Sequence, residues 1–265
     1  MTERTETTRL HVESVGDVDR PPVLLLHGFM SSNLQWEPNR DGLASALRLL
    51  LVEQPGHGRS PGPDDAAAYS ADTVLTRLDE VRARFGIERL WLVGQSLGGA
   101  VAIRYALQHP DRVAGLVFTN SRAVFGLVGR QRSRGASDEP RRELTRERIQ
   151  QMPYHPRNAT RLPPDLQARM IEAADNMPLS VFRHLGAGGP WSSTDELHRL
   201  SVPTLLINGR FEKAFQPCVE QAAASIPDLE VVTLDGGHSV NIDQPERFNQ
   251  AVIDFVTETG GDGYR

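Results

Sequence analysis

Short, wholly apolar runs alternate with amphipathic stretches over the first 120 residues of the chain. Residues 10–15 alternate apolar and polar side chains, the pattern of an edge strand. Pro21 and Pro22 interrupt it, and residues 23–26 then form a continuous apolar run of the kind buried on both faces of a parallel sheet. A short helix is predicted over 39–47 and a second apolar strand over 49–52. Residues 71–85 place Val74, Leu78 and Val81 on one helical face, and Gly86 ends that helix. An apolar strand at 90–93, a small-residue helix at 97–108 and an apolar strand at 113–119 follow. This alternation predicts an α/β fold, a mostly parallel central sheet with helices on both faces.

The pattern breaks after residue 120. No buried-strand signature occurs from 121 to 190, where 131–139 is polar and loop-like and 141–151 and 164–176 have helical periodicity. Residues 186–190, Gly-Ala-Gly-Gly-Pro, close the segment as a joint. Strands resume at 202–209 and 229–234, with helices at 216–225 and 245–257; the stretches 1–8 and 260–265 have the composition of frayed ends. The predicted organisation is a core of residues 1–120 and 191–265, with residues 121–190 inserted as a helical cap.

Length and composition narrow the function. The chain has 265 residues, 39% of them hydrophobic, enough for one large α/β domain with an insertion. A net charge of −5 gives nucleic-acid binding no electrostatic support. Cys218 is the single cysteine, so no intramolecular disulfide can form. The polar, charged N-terminal residues and the lack of any membrane-length apolar run lead us to expect a cytoplasmic protein without membrane association, a monomer or homodimer.

Between the strand at 90–93 and the helix at 97–108 lies Gly94-Gln95-Ser96-Leu97-Gly98. Gly-x-Ser-x-Gly arises by chance in loops. Here a strand enters it and a helix leaves it, the context of a nucleophile elbow, in which a strained turn lifts a serine hydroxyl clear of the sheet. A serine hydroxyl is a weak nucleophile and needs a base, itself oriented by an acid. His238, after Gly236-Gly237 at the end of the last predicted strand, is the candidate base. Glu212, three residues past Gly209, is the candidate acid; Asp235 is the fallback, and Asp243, beyond the histidine, is placed less well. The chain order Ser96, Glu212, His238 is the order this architecture uses. The strand at 23–26 ends in His27-Gly28-Phe29, either an ordinary strand-to-loop turn or the source of a second oxyanion donor at Phe29. His57, in a Gly-His-Gly turn, reads as a structural histidine bonded to backbone.

These residues, with Pro55-Gly56-His57-Gly58-Arg59-Ser60 and Pro203-Thr204-Leu205-Leu206-Ile207-Asn208-Gly209, resemble the α/β-hydrolase superfamily over about residues 10–120 and 200–258. Within it the likeness is to the group of esterases, lactonases, thioesterases, C–C bond hydrolases and cofactor-free perhydrolases. The resemblance implies Ser96 as nucleophile, His238 as base, and the backbone N–H groups of Phe29 and Leu97 as oxyanion hole. It departs at Glu212, where most relatives carry aspartate. A serine at 96 excludes the aspartate-nucleophile chemistry of dehalogenases and epoxide hydrolases of this fold. No cluster has metal-ligand spacing and no glycine run fits a dinucleotide fingerprint, so no cofactor and no metal are expected. The implied activity is hydrolysis of a small ester, thioester or lactone through an acyl-enzyme. The alternatives are C–C cleavage or a lyase like the menaquinone-pathway synthase on an anionic substrate, and, in another class, a hydrolase-fold ligand receptor.

Residues 121–190 hold twelve arginines, no lysine and seven acids, so the insertion is about +5 and the remainder about −10. One account is a solvated helical face with mixed charges. The other is that one or two arginines clamp a carboxylate or phosphate of the substrate. Met30, Gln95, Arg122, Tyr154 and Trp191 are the candidate substrate-binding residues, and Met152, Met177 and Phe182 are further candidates for an apolar wall.

Overall fold

A computed structural model describes residues 9–126, 144–185 and 191–260. Its strands are β1 (Val12–Val15), β2 (Pro22–Leu26), β3 (Arg48–Val52), β4 (Leu90–Gln95), β5 (Val113–Thr119), β6 (Thr204–Gly209) and β7 (Glu230–Leu234). They form one sheet in the order β1-β3-β2-β4-β5-β6-β7. Only the β1–β3 pairing is antiparallel; every other neighbour is parallel. The apolar runs of the sequence are explained by this burial on two sides. Leu24 and Leu26 of β2, Leu50 and Val52 of β3 and Leu92 of β4 pack into one apolar cluster. Their alternates Val23, Leu25, Leu49, Leu51, Trp91 and Val93 pack into another on the opposite face.

The helices divide accordingly. α2 (Ala71–Arg84), α3 (Leu97–Gln108) and α7 (Gln216–Ser225) bury Val74, Leu78, Val101 and Cys218 in the first cluster. α1 (Arg40–Ala44) and α9 (Pro245–Gly260) bury Leu43, Phe248 and Val252 in the second. Gly260 is thus still helical, at the end of a helix predicted to stop at 257. Between β5 and β6 the described residues hold no strand. They form α4 (Arg146–Gln150), α5 (Pro164–Asp175) and α6 (Leu179–His184). Ile149, Ala174, Met177 and Val181 from this segment join the first cluster. α6 and the one-turn α8 (Val240–Asp243) have no counterpart in the sequence prediction, because each is too short for a helical period to show. Residues 1–8, 131–139, 141–143, 186–190 and 261–265, for which ends, loop, helix start and joint were predicted, lie outside the described residues. No helix among the described residues is long and apolar enough to cross a membrane.

Candidate active site

Strand β4 delivers Ser96 and α3 begins at the next residue. Ser96 has φ 53° and ψ −114°, a strained conformation for a residue with a Cβ, costing about 1–3 kcal/mol. Surrounding bonds hold it there. Its N–H donates to Thr119 O at 2.9 Å, and its carbonyl accepts the N–H groups of Gly99 and Ala100 and, at 2.5 Å, the Ser121 hydroxyl. The backbone is therefore anchored, while Oγ has no hydrogen bond among the described residues, His238 included. Gly98 is required by close approach: a Cβ there would strike the carbonyls of Leu26 and His27. The start of α3 thus rests on the end of β2, where the turn carrying Phe29 begins.

That turn is fixed from below by a neutral histidine. His27 is fully buried, and burial, reinforced by nearby His57, lowers its pKa to about 3. Nδ1–H donates to Gly28 O at 2.8 Å, Nε2 accepts from Gln54 N at 3.1 Å, and the Gln54 amide donates to His27 O at 2.6 Å. Met30, at φ 58°, turns the chain sharply after Phe29. The Phe29 N–H donates to no group of the described residues, and the Leu97 N–H, first in its helix, has no helical acceptor. His57 is buried and donates Nδ1–H to Pro55 O at 3.0 Å; burial lowers its pKa to about 4. It bonds backbone, the role expected of it.

The candidate acid and base meet. His238 Nδ1 lies 2.9 Å from Glu212 Oε2. With the proton on Nδ1, Nε2 is left as an acceptor. Glutamate reaches because its turn is drawn over the histidine loop: Arg210 N donates to Leu234 O and Phe211 N to Gly236 O. Gly209 permits this approach, since a Cβ there would meet the carbonyl of Gly237 and the side chain of Asn120. Asp235 points elsewhere, paired with Arg210 at 2.7 Å. Asp243 accepts the Gly237 N–H through Oδ2 at 2.6 Å and so holds the base loop rather than the imidazole.

Ser96, Leu97, Phe29, Glu212 and His238 all line one cavity of about 800 Å³. Of the substrate-binding candidates, Met30, Gln95, Arg122 and Tyr154 line it as well. Trp191 does not. It is 1% exposed and packed in the first apolar cluster, where a large ring contributes its area to the core rather than to a cavity wall. Met152 and Phe182 reach the wall, whereas Met177 lines a separate, smaller cavity.

Three positioning features were missed. Asn120, φ 46°, bridges the acid and base loops: Nδ2 donates to Gly237 O at 2.6 Å and His238 O at 3.2 Å, and Oδ1 accepts Gly209 N–H at 3.1 Å. Gln95 also donates to His238 O, at 3.0 Å. Finally, a relay of buried carboxamides runs from the cavity wall under the sheet. Ser31 donates to Gln35, Gln35 to Asn241 and Asn241 to Asn39, while Asn39 donates to Asn249. An asparagine at a strand end is a signal for left-handed backbone, but nothing in a sequence pairs amides 206 positions apart.

A family model for the alpha/beta hydrolase fold matches residues 21–245. The chain belongs to the α/β-hydrolase family. Relatives of this hydrolase include carboxylesterase YbfK of Bacillus subtilis, 27% identical, with 95% of this chain and 86% of that protein covered. The 2-succinyl-6-hydroxy-2,4-cyclohexadiene-1-carboxylate synthase of Serratia proteamaculans is 26% identical over 92% of this chain and 96% of that one. Among solved structures, a thermophilic esterase from Thermogutta terrifontis, with malate bound, superposes with a TM-score of 0.77 at 26% identity, covering 94% and 93% of the two chains. The α/β-hydrolase fold and family expected from the sequence are therefore correct, and this hydrolase-fold enzyme has both esterases and a synthase among its relatives.

Proposed function

We propose that this α/β-hydrolase is a cofactor-independent serine hydrolase acting on a small ester, thioester or lactone. The observation that carries the proposal is the 2.9 Å contact of His238 Nδ1 with Glu212 Oε2, at the rim of the cavity that the strained Ser96 turn opens into. Ser96 Oγ adds to the substrate carbonyl carbon as His238 Nε2 takes its proton, and Glu212 stabilises the resulting imidazolium. The new oxyanion sits between the N–H groups of Phe29 and Leu97. Collapse expels the alkoxide or thiolate, which takes the proton from His238. Water, deprotonated by the same nitrogen, then adds to the acyl-enzyme and releases the acid and Ser96. Residues 121–190 serve as the cap, with Met152, Tyr154 and Phe182 as wall against the acyl chain.

Relatives that include a 2-succinyl-6-hydroxy-2,4-cyclohexadiene-1-carboxylate synthase favour a second reading, in which Ser96 and His238 move protons at carbon in C–C cleavage or elimination. A panel of p-nitrophenyl esters, acyl thioesters and vinylogous diketones, with a fluorophosphonate to label Ser96, separates the two. Ester turnover abolished together with labelling in Ser96→Ala supports the hydrolase. Activity on the diketones alone transfers the assignment to carbon chemistry, and full ester activity in Ser96→Ala refutes both.

A further inference from the structure

Three of the described arginines of residues 121–190 have carboxylate partners. Arg169 forms a two-point pair with Glu37, both contacts at 2.6 Å. Arg183 lies 3.4 Å from Asp64, and Arg157 3.9 Å from Asp175. Two arginines line the main cavity, Arg122 and Arg161. The Arg161 guanidinium is stacked over the Phe211 ring, 4.7 Å from its centroid. Arg122 is different. It forms no ion pair among the described residues, and its Nε is buried without a hydrogen-bond acceptor.

The acids that share the cavity are engaged elsewhere. Glu212 Oε2 holds His238, and Asp243 Oδ2 holds the Gly237 N–H. Arg122 follows Ser121, whose hydroxyl is bonded to the carbonyl of Ser96, so its side chain leaves the backbone beside the nucleophile. A guanidinium does not shed its proton at any working pH, so a buried Nε–H can be satisfied only by an acceptor brought to it. The rest of the wall there is apolar or neutral, with Phe29, Met30, Leu97, Ala123 and Leu144 among the lining residues.

We propose that Arg122 is the specificity-determining residue of this cavity and binds a carboxylate carried by the substrate. The enzyme then acts on anionic esters, thioesters or lactones in preference to neutral ones of the same size. A carboxylate offers two oxygens to the guanidinium fork, and in a cavity shielded from bulk water that match is stronger than at the surface.

The proposal deepens the hydrolase assignment, and one arm of its test is independent of turnover. For the kinetic arm, kcat/KM is measured for two matched pairs. Mono-p-nitrophenyl glutarate against p-nitrophenyl butyrate places the carboxylate on the acyl half; 4-carboxyphenyl butyrate against phenyl butyrate places it on the alcohol half. Arg122→Gln is expected to lower the anionic-to-neutral ratio roughly tenfold to a hundredfold in one of the pairs. Arg122→Lys, which keeps the charge and loses the fork, should recover part of it. Arg169→Gln, whose partner is Glu37 at the surface, should leave the ratio as in the wild type. For the binding arm, glutarate is titrated calorimetrically into Ser96→Ala and into Ser96→Ala with Arg122→Gln; tighter binding when Arg122 is present supports the proposal even if no ester is turned over. An unchanged ratio in both pairs, with equal glutarate binding in the two proteins, overturns it while leaving Ser96 labelling and ester turnover to decide the hydrolase assignment separately.

Discussion

The carboxamide of Asn120 joins the loop of the candidate acid to the loop of the candidate base, donating to Gly237 O at 2.6 Å and accepting from Gly209 N–H at 3.1 Å. Glu212 is three residues beyond Gly209 and His238 one beyond Gly237, so this side chain, with the backbone bonds from Arg210 and Phe211, helps to set how the two approach. Asn120→Ala should lower kcat about tenfold to a hundredfold with a smaller change in KM, and lower the unfolding free energy by about 1–3 kcal/mol, since buried donors and acceptors lose partners. Steady-state kinetics and urea melts measure both. A variant with unaltered kcat shows that the loops hold their spacing without it.

Glu212→Gln should leave the fold intact and cost on the order of 10²–10⁴ in kcat, because the neutral amide cannot stabilise the imidazolium. Asp235→Asn should cost less than about threefold, since Asp235 is spent on a half-exposed pair with Arg210 and such pairs contribute little. A reversed order of the two effects would move the acid to Asp235.

Strain at Ser96 predicts a difference between two inactive variants. Ser96→Ala removes Oγ and keeps the Cβ at φ 53°. Ser96→Gly removes both, and should be more stable than the alanine variant by about 1 kcal/mol once the added freedom of the unfolded glycine is allowed for. Equal denaturation midpoints would show that the turn is not strained.

His27 and His57 should make the protein acid-sensitive well above the carboxylate range. Their pKa values are lowered to about 3 and about 4 in the fold from 6.5, so the unfolded chain binds protons first as pH falls. The stabilisation is complete above about pH 6.5 and is lost on acidification towards those folded values. Each histidine contributes a slope of about 1.4 kcal/mol per pH unit. Urea unfolding between pH 7 and 5 should show the combined loss, and His57→Gln should flatten it by one histidine's share. A pH-independent midpoint across that range refutes the assignment.

How much of this was legible in the sequence differs by residue. Strand β5 and helices α3 and α7 match the predicted ranges residue for residue, because apolar runs and helical periodicity are local signals. Ser96, Glu212 and His238 could be picked from strand ends in order. Trp191 could not be placed, since an aromatic ring after a glycine-rich joint suits a core and a cavity wall equally. The arginine-only charge of residues 121–190 suggested either a solvated helical face or one or two arginines clamping an anionic group of the substrate. Lys213 is the sole lysine of the whole chain, however, so arginine is simply its usual cation. Among the described arginines with an unpartnered buried nitrogen, what singles out Arg122 is its place in the cavity wall, which only three-dimensional packing reveals.

The buried carboxamide relay from Ser31 to Asn249 bears on how the wall of the cavity responds to its surroundings. It fastens the turn that carries Phe29 to the helix that follows His238 through neutral groups, which salt does not screen and pH does not titrate. The turn and that helix are therefore held together without a charged group between them. α5 packs Leu166 and Met170 onto Ile242 of that helix, and the exposed pair of Arg169 and Glu37 is its charged tie to the same region. Added salt should accordingly weaken the tie of Arg169 to Glu37 while leaving the carboxamide relay as it is.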